Sequence, residues 1–109
     1  MSLWEERAAR NEALFREVNE QVRSLSGRQG HGADEMLFIC ECSDERCAER
    51  VAVPAGVYEA VRSNPRRFLV LPGHDNDFER VVDRADGYAI VEKEGVAGRV
   101  AEERDPRTP

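Results

Sequence analysis

An α+β fold is what this sequence predicts: a long N-terminal amphipathic helix, then a small, mainly antiparallel sheet with one crossing helix and a Cys3His metal site. Three observations carry the expectation. Apolar residues recur at helical spacing through the first 26 positions. Short apolar runs bounded by turn residues follow. Cys40, Cys42 and Cys47, the only cysteines among 109 residues, cluster as C-x-C-x4-C ahead of a Pro72-Gly73-His74 turn.

The helix is expected over 1–26. Trp4, Ala8, Asn11, Phe15, Val18, Val22 and Leu25 follow alternating steps of four and three, and Leu14 widens the stripe. Ser2 and Glu5 have the spacing of a capping box, and Gly27 stands where a C′ glycine ends a helix. Glu6→Arg10 and Glu12→Arg16 read as exposed i,i+4 ion pairs. The stripe can face the domain or a second copy of the chain, in which case Asn11 on the seam would set register.

Residues 27–35, with His31 among glycines, read as a flexible linker. A metal-binding domain is expected over 36–95. Met36–Ile39 and Arg50–Val53 read as short strands flanking the cysteine loop. Pro54 opens a helix that Pro65 stops. Phe68–Leu71 is a third strand, and Phe78–Arg84 with Tyr88–Lys93 flank Asp86-Gly87, a hairpin signal. Residues 96–109 are rich in Gly, Glu and Arg and are expected to be a disordered tail, with Val96 and Val100 as the only hint of an edge strand.

A chain of this length supports one modest core, which a metal or a partner often reinforces. The net charge of −6 disfavours nucleic acid, since backbone binding needs a cationic footprint. No run of about 18 apolar residues suggests a membrane helix, and no secretory signal is visible. An odd number of close cysteines fits a reducing compartment, so the expectation is a cytoplasmic protein.

On an extended backbone Cys40 and Cys42 project the same way, and a turn through 43–46 can return Cys47 to the same point. Three thiolates and one imidazole are a structural Zn2+ set. His74 is the expected fourth ligand, with His31, Asp75 or an exogenous group as competitors. An iron–sulfur cluster is a distant second choice, because its ligands show other spacings.

The segments Phe38-Ile39-Cys40-Glu41-Cys42, Cys47, Tyr58–Arg62, Asn64–Phe68, Pro72-Gly73-His74 and Tyr88–Lys93 together resemble a set of small uncharacterised bacterial proteins, common in high-GC organisms. The resemblance covers about residues 36–94 and a preceding helix. It implies that Cys40, Cys42 and Cys47 act with His74, and it implies no activity. Ser43 departs from the pattern, which often has glycine there.

Asp75, Asp77, Glu79, Asp83 and Asp86 read as a solvated acidic rim. Arg62, Arg66 and Arg67 read as partners of nearby carboxylates. No phosphate-cradling loop or nucleophile elbow is present. The expected function is a non-enzymatic zinc-binding interaction or regulatory module, whose partner is a protein or a second copy meeting the N-terminal helix. The alternative is a thiol redox or metal-sensing switch; a metal-dependent hydrolase ranks third because a closed ligand set leaves no place for water.

Overall fold

The computed structural model describes residues 3–26, 35–44, 46–77 and 79–107 (for 3–5, 25 and 26 the backbone only). The element order is α1 (Leu3–Ser26), β1 (Glu35–Ile39), β2 (Arg50–Pro54), α2 (Ala55–Arg62), β3 (Arg67–Val70), β4 (Glu79–Ala85), β5 (Tyr88–Lys93) and α3 (Gly95–Glu103). The fold is α+β, with an N-terminal helix, small antiparallel sheets and further helices. The capping pair Ser2–Glu5, Gly27, His31 with residues 27–34 of the linker, and the Trp4 and Leu25 ends of the stripe lie outside what is described.

Two antiparallel sheets form. One pairs β1 with β2, and the other has the order β3-β5-β4. The alternating side chains of β1 and β2 turn Phe38, Val51 and Val53 inward, while Leu37 stays exposed. Phe38 stacks on Tyr58 of α2 with ring centroids 4.3 Å apart. The two-residue Asp86-Gly87 loop joins β4 to β5, with Gly87 at φ 85, a conformation that favours glycine. Val82 has no partner on β5, so β4 bulges there.

The two sheets meet just beyond β1. Glu41 N–H donates to Leu69 O at 2.8 Å, so the chain leaving β1 runs beside β3. Phe68, Leu69 and Val70 are consequently buried, together with Ala89 and Val91 of β5.

Helix α1 faces the domain with an unexpected side. Among its described side chains Ala8, Glu12, Arg16 and Asn19 are buried, with Glu12 and Arg16 at 1% and 0% exposure. Leu14, assigned to the apolar stripe, is 55% exposed. The Glu12→Arg16 pair is therefore no surface ion pair. Glu12 instead meets Lys93 of β5, which also pairs with Glu79 at 2.6 Å. Arg16 lies 4.6 Å above the Phe68 ring and donates to Pro65 O at 2.8 Å and Ala101 O at 2.7 Å. Burial of these polar side chains is tolerated because each has a charged or carbonyl partner waiting in the domain.

The expected disordered tail over 96–109 is a correction: Gly95–Glu103 is a helix, and the chain remains described to Arg107. Its close packing explains why composition misled. Gly98 is buried, and a Cβ there would sit 2.9 Å from Lys93 O, so only glycine lets α3 lie this near β5. Beyond it Asp105 is paired with Arg62, whose Nε also donates to Glu20 at 2.8 Å. Arg107 bridges Glu20 and Glu59. These pairs fasten the C-terminal segment to α1 and α2. The linker expectation also shortens at its end, since Glu35 already belongs to β1. Glu79, placed on the acidic rim, has a fully buried side chain.

Candidate metal centre

Cys40 directly follows β1, and the hairpin continues through it, since Cys40 N–H donates to Glu49 O at 2.9 Å. Asp44 then builds the loop expected from its residue type. Its carboxylate accepts from Arg46 N–H at 2.9 Å, and its carbonyl accepts from Cys47 N–H at 3.0 Å. The turn carries Cys47 back toward Cys40 and Cys42.

The fourth residue arrives from β3. Leu71 O accepts from His74 N–H at 3.1 Å, closing a turn with Pro72 and Gly73 at its corners. Gly73 has φ 83, which a type II turn demands at that position. The backbone reversal brings the imidazole over the sulfurs. His74 Nδ1 lies 3.6 Å from Cys40 Sγ and 3.7 Å from Cys47 Sγ.

The ligand atoms of Cys40, Cys42, Cys47 and His74 all lie within 4.8 Å of one another. They are close enough to hold a metal ion. A tetrahedral ion with metal–sulfur bonds of about 2.3 Å and a metal–nitrogen bond of about 2.0–2.1 Å would separate sulfur from nitrogen by about 3.6 Å. The two measured Sγ–Nδ1 distances agree with that geometry. Nδ1 is the nitrogen turned to the sulfurs, so it would be the ligand atom, and Nε2 would carry the ring proton once a metal is bound.

Electrostatics point the same way. Hydrogen bonding from Cys40, then His74, pulls the Cys42 thiol down to about 5 against the cost of burial. Its hydrogen bond to Cys42 and its own burial push Cys40 far above the thiol range, although Leu71 N–H donates to its Sγ at 3.2 Å. Burial raises Cys47. The protein's own groups thus favour one thiolate among the three, and a bound cation would be needed to stabilise all three as thiolates.

Glu41, between two of the cysteines, is a residue to which the sequence reading gave no role. It is 0% exposed. Its Oε1 accepts from Leu69 N–H at 2.9 Å, and its Oε2 accepts from Asn19 Nδ2 at 2.8 Å and Tyr58 OH at 3.3 Å. Burial pushes its carboxyl up, while Leu69, Asn19, Arg62 and Arg16 pull it back. Asn19 also exchanges two hydrogen bonds with the Ile39 backbone, at 2.7 and 2.8 Å. Asn11 Nδ2 donates to Ser43 O at 3.2 Å. The expected register residue of a coiled coil thus holds the cysteine loop. A buried acid between metal-type cysteines was the available signal, because an acid there needs donors from elsewhere.

His31 lies outside the described residues, and Asp75 is exposed. No helix among the described residues is long and apolar enough to cross a membrane. Comparison with protein-family models, with curated proteins and with solved structures finds no match.

Proposed function

We propose that this chain is a non-enzymatic zinc-binding module whose metal is structural. The observation that carries the reading is the convergence of three sulfurs and His74 within 4.8 Å of one another, with Cys40 Sγ and Cys47 Sγ at 3.6 and 3.7 Å from Nδ1. Soft thiolates with one imidazole suit Zn2+, and four protein ligands leave no position for a reacting water. When bound, the metal supplies a cross-link between the β1–β2 loop and the turn after β3. The chain's own residues do the rest: Leu71 N–H supports the Cys40 sulfur, Asp44 shapes the loop, and Glu41 ties it to α1 and β3.

An interaction or regulatory role rests on that last connection. Because Asn11 and Asn19 both touch the loop segment, a partner meeting α1 and an ion bound at the cysteines would each favour the same docked helix. The expected partner is a protein or a second copy of the chain. It would meet the outward side of α1, where Leu14 is exposed.

Elemental analysis of purified protein tests the reading, with one zinc per chain expected. Co2+ substitution should produce the intense visible bands of a tetrahedral sulfur-rich site. Protein that is free of metal and melts at the same temperature with and without added zinc would overturn it.

The partial exposure of Cys47 favours one second reading, a thiol switch. Peroxide would take two electrons from two cysteine thiolates, forming one disulfide and water, and the ion would leave. Zinc release that tracks peroxide and is reversed by dithiothreitol is the expected result. Retention of zinc under oxidant removes this reading.

A further inference from the structure

The three sulfurs of the metal centre are held unequally, and the inequality singles out the pair that oxidation would join. Cys40 is 0% exposed and Cys42 2% exposed, while Cys47 is half-buried, so a small oxidant meets the Cys47 sulfur first. Which of the other two sulfurs then closes on it depends on what anchors each.

Cys40 is tied to the rest of the domain. Its Sγ accepts from Leu71 N–H, just beyond β3, at 3.2 Å, and its own N–H donates to Glu49 O at 2.9 Å. Drawing that sulfur into a disulfide would take a charged acceptor away from the Leu71 amide and leave a weaker one. Cys42 is tied only within the loop. Its Sγ lies 4.0 Å from Asp44 O, the same carbonyl that accepts from Cys47 N–H at 3.0 Å. Cys42 and Cys47 therefore flank one carbonyl and can approach without giving up a contact to another element.

A bridge between Cys40 and Cys42 is opposed by Glu41. Its N–H is bonded to Leu69 O and its carboxylate to Leu69 N–H and Asn19, so the backbone between the two cysteines is pinned. Extended residues two apart have Cα atoms about 6.6 Å from each other, at the far end of the disulfide range.

We propose, resting on the thiol-switch reading, that oxidation joins Cys47 to Cys42, leaves Cys40 as a free thiol, and is transmitted to α1 through the ring so formed. The Cys47 thiolate attacks one oxygen of hydrogen peroxide, the O–O bond breaks, and a sulfenic acid forms with loss of hydroxide. The Cys42 thiolate then attacks the Cys47 sulfur, the S–O bond breaks with loss of a second hydroxide, and the S–S bond forms. Two electrons pass from the two sulfurs to the peroxide, and two solvent protons turn the hydroxides into water. Cys40 and His74 remain, half of a tetrahedral ligand set.

The new bond draws its sulfurs to about 2.05 Å, so the loop between them tightens. Ser43 lies inside that ring, and its carbonyl accepts from Asn11 Nδ2 of α1 at 3.2 Å. Asn19 grips Ile39 and Glu41, which lie outside it. Oxidation accordingly disturbs the Asn11 hold on α1 and spares the Asn19 hold.

Cleavage after glutamate places each cysteine on its own peptide, 36–41, 42–45 and 46–49. Zinc-loaded full-length chain is treated with a single equivalent of hydrogen peroxide, free thiols are blocked with iodoacetamide, and the digest is read by mass spectrometry. Peptide 42–45 linked to 46–49 is expected, with 36–41 carrying the carbamidomethyl group and zinc released in step with the disulfide. In NMR spectra of the same samples the Asn11 side-chain amide should shift and that of Asn19 should stay. A bridge that contains Cys40 overturns this pairing and leaves the switch reading intact, whereas retained zinc without any disulfide overturns both. The expected bridge with an unmoved Asn11 amide overturns the transmission to α1.

Discussion

Glu41→Gln is the substitution that most directly probes how the metal loop is held. The two side chains have nearly the same shape, so packing is preserved and only charge and donor pattern change. Gln Oε1 can keep the Leu69 N–H bond, though as a weaker neutral one. Tyr58 can rotate its hydroxyl hydrogen and accept from the new amide. Asn19 cannot adapt. Its Oδ1 accepts from Ile39 N–H while its Nδ2 donates to Ile39 O, so a flip would break both. Its Nδ2 must therefore face the new NH2, donor against donor. The loss of one charge-assisted bond, about 1.5–3 kcal/mol, and the weakening of another sum to about 3–4 kcal/mol. Relief of the desolvation cost of a buried carboxylate returns part of this. A net loss of about 2–3 kcal/mol is expected, or about 8–12 °C at about 4 °C per kcal/mol for a chain of this size. The assay is thermal unfolding by circular dichroism of zinc-saturated protein, repeated for Asn19→Ala and the double variant. The coupling between the two sites should be about 1–2 kcal/mol. A Gln variant melting within about 2 °C of the parent, or strictly additive losses, would refute the argument.

Further tests address the other parts of the structure. His74→Ala should lower zinc affinity at least about 100-fold, measured by competition with a chromophoric chelator; unchanged affinity would make His74 a bystander. Glu12 holds its proton up to about 8 in the folded chain, chiefly through burial, against 4.5 ordinarily. The folded state therefore binds more protons between those values, and this group's contribution to stability falls as pH rises through that window. Urea midpoints of zinc-saturated protein between pH about 6 and 8 should show that slope, and Glu12→Gln should flatten it; parallel profiles would count against the assignment. Gly98→Ala should destabilise by about 1–3 kcal/mol, because the new Cβ meets the Lys93 carbonyl, which cannot move as a side chain would. Chemical unfolding that leaves Gly98→Ala at parental stability would show that α3 yields without cost.

Reading the fold from sequence worked where hydrophobic period and turn chemistry are local. The short apolar runs became β1, β2, β3 and β5 within a residue or two of their expected ends. Asp86-Gly87 and Pro72-Gly73 turned the chain where their residue types require. It failed for the buried side of α1, because a hydrophobic period assigns Glu12, Arg16 and Asn19 to solvent. Their spacing, 12-16-19 with Ala8, is itself a helical face, but nothing in a charge reveals that its partner is Lys93 or a carbonyl of Pro65. It failed again for α3. Val96, Ala97, Val100 and Ala101 do repeat at helical spacing, a signal that Gly98 and the surrounding charges obscured.

The identity and grouping of the metal-type side chains were a property of the sequence alone, because three sulfurs within eight positions can meet by a single loop. Tertiary structure decided that His74 stands beside them, which acid supports them, and which charged side chains leave water. Those outcomes depend on distances between segments far apart in the chain, and burial of a charge is settled only when its partner is brought beside it.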